Sequence, residues 1–302
     1  MGDPTASAER IGKNSARHVT PCRGRWRPRL TPRLAATRRD PEISGANLFR
    51  ATIAFRAKGE PVEFADDGDG GGQCWRDLAE VVAAGVKRVL LYGPPGTGKT
   101  FAALYYGVGE GPAERLVCTE DLTTGEITGT WMPTGTGRWE WREGPAIRSW
   151  RGVGGRLVVD EVDRASGDAL STLLAVTDTT ESARWRHPGT GEWLTPGPEF
   201  SVMMTTNLEV LEDLPSALRD RFPLRICIDQ PHPSAVRSLS SDLRGPALAG
   251  SLGEEARRVS LRSFYAFDQL RRHCGAERAA QLVFGDVRGA GVLDALTIGA
   301  LR

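Results

Sequence analysis

Short apolar runs recur along this chain: Val89-Leu90-Leu91-Tyr92, Arg115-Leu116-Val117-Cys118, Leu157-Val158-Val159, Phe200 to Met204 and Leu224 to Ile228. Each is bounded by polar or glycine-rich sequence and is too short for a helix, so each reads as a strand buried on both faces. Helical patterns separate them, the first over Trp75 to Ala84. Strands alternating with helices predict an α/β fold: a parallel five-stranded sheet covered by helices on both faces. Two stretches break that rhythm. Ile127 to Arg142 alternates around Thr134-Gly135-Thr136-Gly137 with Trp131, Trp139 and Trp141 on its arms, and Trp185 to Trp193 turns around Gly189-Thr190-Gly191. Both predict hairpins. Beyond Asp229 the periodicity turns helical (Pro233 to Leu243, Ser260 to His273, Ala276 to Val283), which predicts a small all-helical domain over 231–302.

Composition refines this division. The first 40 residues hold Lys13 and nine arginines against Asp3, Glu9 and Asp40, a local charge of +7, so the other 262 residues sum to −6 within a net +1. Residues 1–45 are rich in Arg and Pro with no apolar period and are expected to be disordered; 46–74 form a linker ending in the acidic, glycine-rich 66–72. That leaves 75–230 as the core. A mildly acidic body speaks against a nucleic-acid-binding surface. The five cysteines are far apart, with no paired spacing and no histidine at ligand distance, so reduced thiols are expected rather than disulfides or zinc. No apolar run is long enough to span a membrane, and a cytoplasmic protein is expected.

The chemistry begins at Gly93-Pro94-Pro95-Gly96-Thr97-Gly98-Lys99-Thr100, directly behind the first strand. It fits the phosphate-binding pattern G-x-x-x-x-G-K-[ST]. Such a loop turns sharply from strand to helix while several N–H groups face one phosphate chain, and glycine permits both the turn and the close approach. The helix entered at Lys99 and Thr100 and continued by Phe101 adds its positive end. Lys99 supplies a mobile charge for the β- and γ-phosphates, and the Thr100 hydroxyl a ligand for Mg²⁺.

Leu157-Val158-Val159 runs into Asp160-Glu161. At the carboxyl edge of a parallel sheet, on a strand expected beside the loop's own, Asp160 suits the metal. Glu161, pointing the other way, suits a general base that orients the attacking water. Thr205-Thr206-Asn207 closes the fourth strand, where the Asn207 amide can bond both a γ-phosphate and a water without adding charge. Arg219 and Arg221 lie near the end of a helix: either suits a trans-acting arginine, and equally a solvated residue favoured by the helix dipole.

These pieces, with Gly129, Gly144-Pro145, Asp163-Arg164-Ala165, Asp220-Arg221-Phe222 and Ser260-Leu261-Arg262, resemble the AAA+ ATPases over residues 75 to about 285. Within them the likeness is to the MoxR-like and dynein-related group with a helix-2 insert. The resemblance implies ATP and Mg²⁺, Asp160 and Glu161 as the Walker B pair, and Asn207 as first sensor. It implies Arg221 as arginine finger and Arg262 as second sensor on a helical lid. It also implies a homo-hexameric ring remodelling a protein substrate, in many relatives beside a von Willebrand A-domain partner, with the two hairpins facing the channel. Asp163 in place of Asn, and Leu208 in place of Pro, favour the dynein-related group over MoxR proper. Two other classes fit parts of the pattern: a nucleotide-driven restriction-type motor on nucleic acid, and a non-motor switch or kinase with the same loop.

Overall fold

A computed structural model describes residues 72–252 and 258–300. The expected tail (1–45) and most of the linker (46–74) lie outside the described residues. Helix α1 (Gln73–Ala83) leads into β1 (Arg88–Tyr92), the phosphate loop and α2 (Lys99–Tyr105). The other sheet strands are β2 (Ala113–Val117), β5 (Arg156–Asp160), β8 (Ser201–Thr205) and β9 (Leu224–Cys227). They make one five-stranded sheet ordered β2-β5-β8-β1-β9, with every pair parallel.

Alternation explains why the apolar runs are continuous. Leu90, Leu157, Val159, Val202 and Met204 face one core, while Val89, Leu91, Val158 and Met203 face a second. The first core is closed by the short helices α3 (Thr124–Thr128) and α4 (Pro145–Ser149), by α5 (Gly167–Val176) and by α6 (Ser216–Arg221). The second is closed by α1 and α2, through Trp75, Leu78, Ala102 and Ala103. The three central strands β1, β5 and β8 thus remove both faces from water, whereas the edge strands β2 and β9 stay partly exposed.

Both hairpins form, β3 (Gly129–Pro133) with β4 (Trp139–Glu143) and β6 (Trp185–Arg186) with β7 (Trp193–Leu194). The first is shorter than expected. Ile127 and Thr128 sit in α3 instead, because Thr123 and Glu126 cap that helix reciprocally: the Glu126 N–H donates to Thr123 Oγ1 at 3.2 Å and the Thr123 N–H to Glu126 Oε2 at 2.9 Å.

The C-terminal helices are α7 (Pro233–Arg237), α8 (Ser241–Ser251), α9 (Leu261–Cys274) and α10 (Ala276–Ala300). They bury a third cluster that includes Leu243, Phe264, Phe267 and Ala280. The single helix expected over Pro233 to Leu243 is two. The break at Ser240 is held by Asp268, which accepts from Ser240 N at 3.1 Å and pairs with Arg271 at 2.8 Å. The last helix runs far beyond Val283, interrupted at Gly285, where φ is +76°. The expected core start at Trp75 falls inside the first turn of α1, which begins at Gln73. One further expectation fails: β5 is not adjacent to β1, because β8 lies between them.

Candidate nucleotide site

The loop 93–100 leaves β1 with three glycines at positive φ, and two of these show why no side chain fits. At Gly93 (φ +114°) a Cβ would stand 3.0 Å from Ile228 O, and at Gly96 (φ +82°) it would stand 2.6 Å from Ser260 Cβ. The second clash joins the loop to the residue just before α9, so the helical segment is packed directly over the phosphate loop.

Lys99 turns back into its own loop. Its Nζ donates to Gly93 O at 2.8 Å and Pro94 O at 2.7 Å, and the residue is 5% exposed. Burial pushes its pKa down to about 8, partly offset by the charge of Asp160. Asp160 is buried at the end of β5 and its carboxylate is fully engaged. Oδ1 accepts from Thr100 Oγ1 at 2.8 Å and from Thr205 Oγ1, while Oδ2 accepts the Arg115 guanidinium through Nε at 3.1 Å and through Nη2. Burial alone would raise its pKa, but the bonds from Thr205, Arg115 and Thr100 outweigh it and leave the value lowered.

Glu161 follows in a left-handed conformation (φ +57°), so the chain leaves the strand abruptly. Its carboxylate meets Arg164 Nε at 2.9 Å, and its N–H donates to Thr205 Oγ1 at 3.4 Å. Thr206 Oγ1 donates to Asp163 Oδ1 at 2.6 Å and accepts from Leu208 N at 3.1 Å, which fixes the turn presenting the exposed Asn207.

One cavity of about 470 Å³ collects these groups. Pro95 to Phe101, Asp160, Glu161, Asn207 and Arg262 all line it. Lys99 and Asp160 therefore share a cavity, as the loop reading requires. Arg219 and Arg221 are not among its walls. Arg221 sits at the end of α6, 3.5 Å from Asp178, and the Nε atoms of both arginines are buried without a hydrogen-bond partner among the described residues.

Sequence reasoning missed the rest of the lining: Trp75, Tyr106, His232, Ala235, Leu261 and Tyr265. The Trp75 and His232 rings meet edge to face with centroids 4.9 Å apart, and Trp75 Nε1 donates to Gln230 O at 2.9 Å. His232 Nδ1 accepts from Ser234 N at 3.1 Å, which leaves the ring proton on Nε2, against the Tyr106 hydroxyl. Burial pushes the His232 pKa down to about 4. An aromatic, uncharged lining in the same cavity as a cationic loop suits a flat heteroaromatic base joined to a phosphate chain. Arg115 was missed too; it was legible only as the first residue of an apolar run.

The residues fit Mg²⁺ as well as phosphate. Among the described residues no three His, Cys, Asp or Glu side chains cluster as a metal cage. A hydroxyl and one buried carboxylate are what Mg²⁺ uses when phosphates and water supply its other ligands. No helix among the described residues is long and apolar enough to cross a membrane.

Residues 88–222 match the AAA domain of the dynein-related subfamily. No curated protein matches the chain. Among solved structures, one described as a candidate ATPase from Cytophaga hutchinsonii is 20% identical, with TM-score 0.40, over 67% of this chain and 58% of that one. NtrX from Brucella abortus in complex with ADP is 16% identical, with TM-score 0.44, over 67% and 49%; a second NtrX structure is 15% identical, with TM-score 0.42, over 84% and 72%. The chain thus spans only about half the length of the first two. β1, the phosphate loop, Asp160-Glu161 and Asn207 all lie inside the segment that is similar to the AAA domain of the dynein-related subfamily.

Proposed function

We propose that this protein is a Mg²⁺-dependent ATPase that couples hydrolysis to remodelling or assembly of a partner protein. The observation that carries the reading is the convergence of Lys99, Thr100, Asp160, Glu161, Asn207 and Arg262 on one cavity. Main-chain N–H groups of Gly96 to Thr100 bind the phosphates, and Lys99 exchanges its two loop carbonyls for phosphate oxygens. Thr100 and Asp160 would hold Mg²⁺, which supplies charge neutralisation on the β- and γ-phosphates. Glu161, released from Arg164, takes a proton from water; Asn207 positions that water, and Arg262 brings the lid's charge to the phosphates.

Arg221 lies outside its own subunit's cavity, which favours a role in the site of a neighbouring copy, in a homo-hexameric ring with a protein substrate or a von Willebrand A-domain partner. Light scattering with and without ATP tests the ring, and a strict monomer with full turnover rejects it. The central test is Glu161→Gln. Nucleotide binding, measured by calorimetry, should persist while turnover falls by roughly 10²–10⁴, the usual worth of general-base catalysis. Undiminished hydrolysis removes Glu161 from the mechanism.

A further inference from the structure

We infer that Arg115 holds the place of the divalent cation on Asp160, so that metal is kept out until nucleotide arrives. The inference rests on the reading of Asp160 as metal ligand and goes beyond it. Arg115 stands on the edge strand β2, directly beside β5, with Val117 in register with Asp160. Its side chain is 46% exposed, yet its guanidinium reaches the cavity and forks onto Oδ2 of a carboxylate that is only 6% exposed.

The hydroxyls of Thr100 and Thr205 take up Oδ1. Both oxygens are therefore occupied by donors, and the carboxylate's charge is matched by one cation of the protein's own. Two guanidinium N–H groups on one carboxylate oxygen make a charge-assisted pair, stronger than a neutral hydrogen bond. A divalent cation arriving alone would have to displace it and gain only one carboxylate. A cation arriving with phosphates gains their oxygens too, and the freed guanidinium, already lining the cavity, meets new anions there. Arg115 thus makes metal and nucleotide bind together instead of in sequence.

The test uses the full chain and Mn²⁺ alone, titrated by electron paramagnetic resonance without nucleotide. Arg115→Ala should bind Mn²⁺ about tenfold more tightly than the wild type, since one positive charge near 4 Å is removed from a partly screened site. Arg115→Lys, which keeps the charge, should return affinity toward the wild-type value, and adding Asp160→Asn to Arg115→Ala should abolish the gain. Should Arg115→Ala destabilise the edge strand, Arg115→Gln gives the same comparison with a polar side chain retained. Mn²⁺ affinity unchanged or weakened in both neutral variants overturns the inference. Binding of a fluorescent ATP analogue in the presence of Mn²⁺, run in parallel, separates the two readings: its absence in the wild type sinks the nucleotide site, whereas nucleotide-free Mn²⁺ binding indifferent to Arg115 sinks only the guarding role of that arginine.

Discussion

The two ends of helix α2 each bury a cation on backbone carbonyls, and they do opposite things. At the N-terminal end Lys99, 5% exposed, bonds Gly93 O and Pro94 O. At the C-terminal end Arg156, 4% exposed and reaching across from β5, donates to Ala103 O at 3.3 Å, Tyr106 O, Gly107 O at 2.8 Å and Ser201 Oγ at 3.1 Å. A helix end offers orphan carbonyls only at its C-terminus, so Arg156 completes a structure that needs it. Lys99 has no such complement: it stands at the end where N–H groups are in excess and borrows loop carbonyls. Burial lowers both pKa values, to about 8 for Lys99 and about 10 for Arg156. A buried cation whose partners are the helix's own orphan groups reads as structural; one set against them is waiting for an anion.

Substitution at the structural end should have the largest effect on folding. Arg156→Met leaves three carbonyls of a buried helix end without donors and should cost about 2–4 kcal/mol in urea denaturation. ATP affinity of the folded variant should hold; a large loss of affinity with normal stability would break the contrast.

The same end carries the acid sensitivity, because Tyr106, whose carbonyl accepts from Arg156, sets its hydroxyl against His232. The folded-state pKa of His232, about 4, is below the ordinary 6.5, so the unfolded chain takes up the proton first. Stability should be lost as pH falls from 6.5 toward 4, by about 3 kcal/mol in full. A His232→Phe variant whose melting temperature falls just as steeply over that window would refute the assignment.

Lys99→Met should do the reverse of Arg156→Met. Losing charge-assisted bonds to phosphate should weaken ATP binding by roughly 10- to 100-fold, while thermal stability stays level or rises as a buried charge is removed. A clear fall in melting temperature would make Lys99 structural after all. The smallest effect sharpens the point. Phosphate binding needs protonated Lys99, so ATP affinity should drop about threefold between pH 7.5 and 8.5, where the lysine begins to lose its proton. Arg156, with its higher value, would give no such change, and a flat calorimetric profile would count against Lys99 as the phosphate-facing cation.

Much of this was legible in the residues. Five apolar runs gave five strands within a residue or two, most plainly in β1, β5 and β8, where burial on both faces leaves a short apolar block. The loop and Asp160 were legible because their geometry needs particular residue types in fixed order: glycine where φ is positive, a carboxylate where the strand ends. The boundaries that slipped did so for local reasons, at the capping box that drew Ile127 into α3 and at Ser240, where Asp268 stops a helix from a distance.

What the sequence determined alone is the local grammar: strand, turn, phosphate loop, acid at a strand end, helices after Asp229. What only the tertiary structure decided is who meets whom: that β8 separates β1 from β5 and still lets Thr100 reach Asp160, that Arg115 forks onto that acid, and that His232 walls the cavity. The physical reason is separation. Periodicity and turn chemistry act over a few residues, whereas an ion pair between Arg115 and Asp160, 45 positions apart, exists only once the sheet has chosen its order.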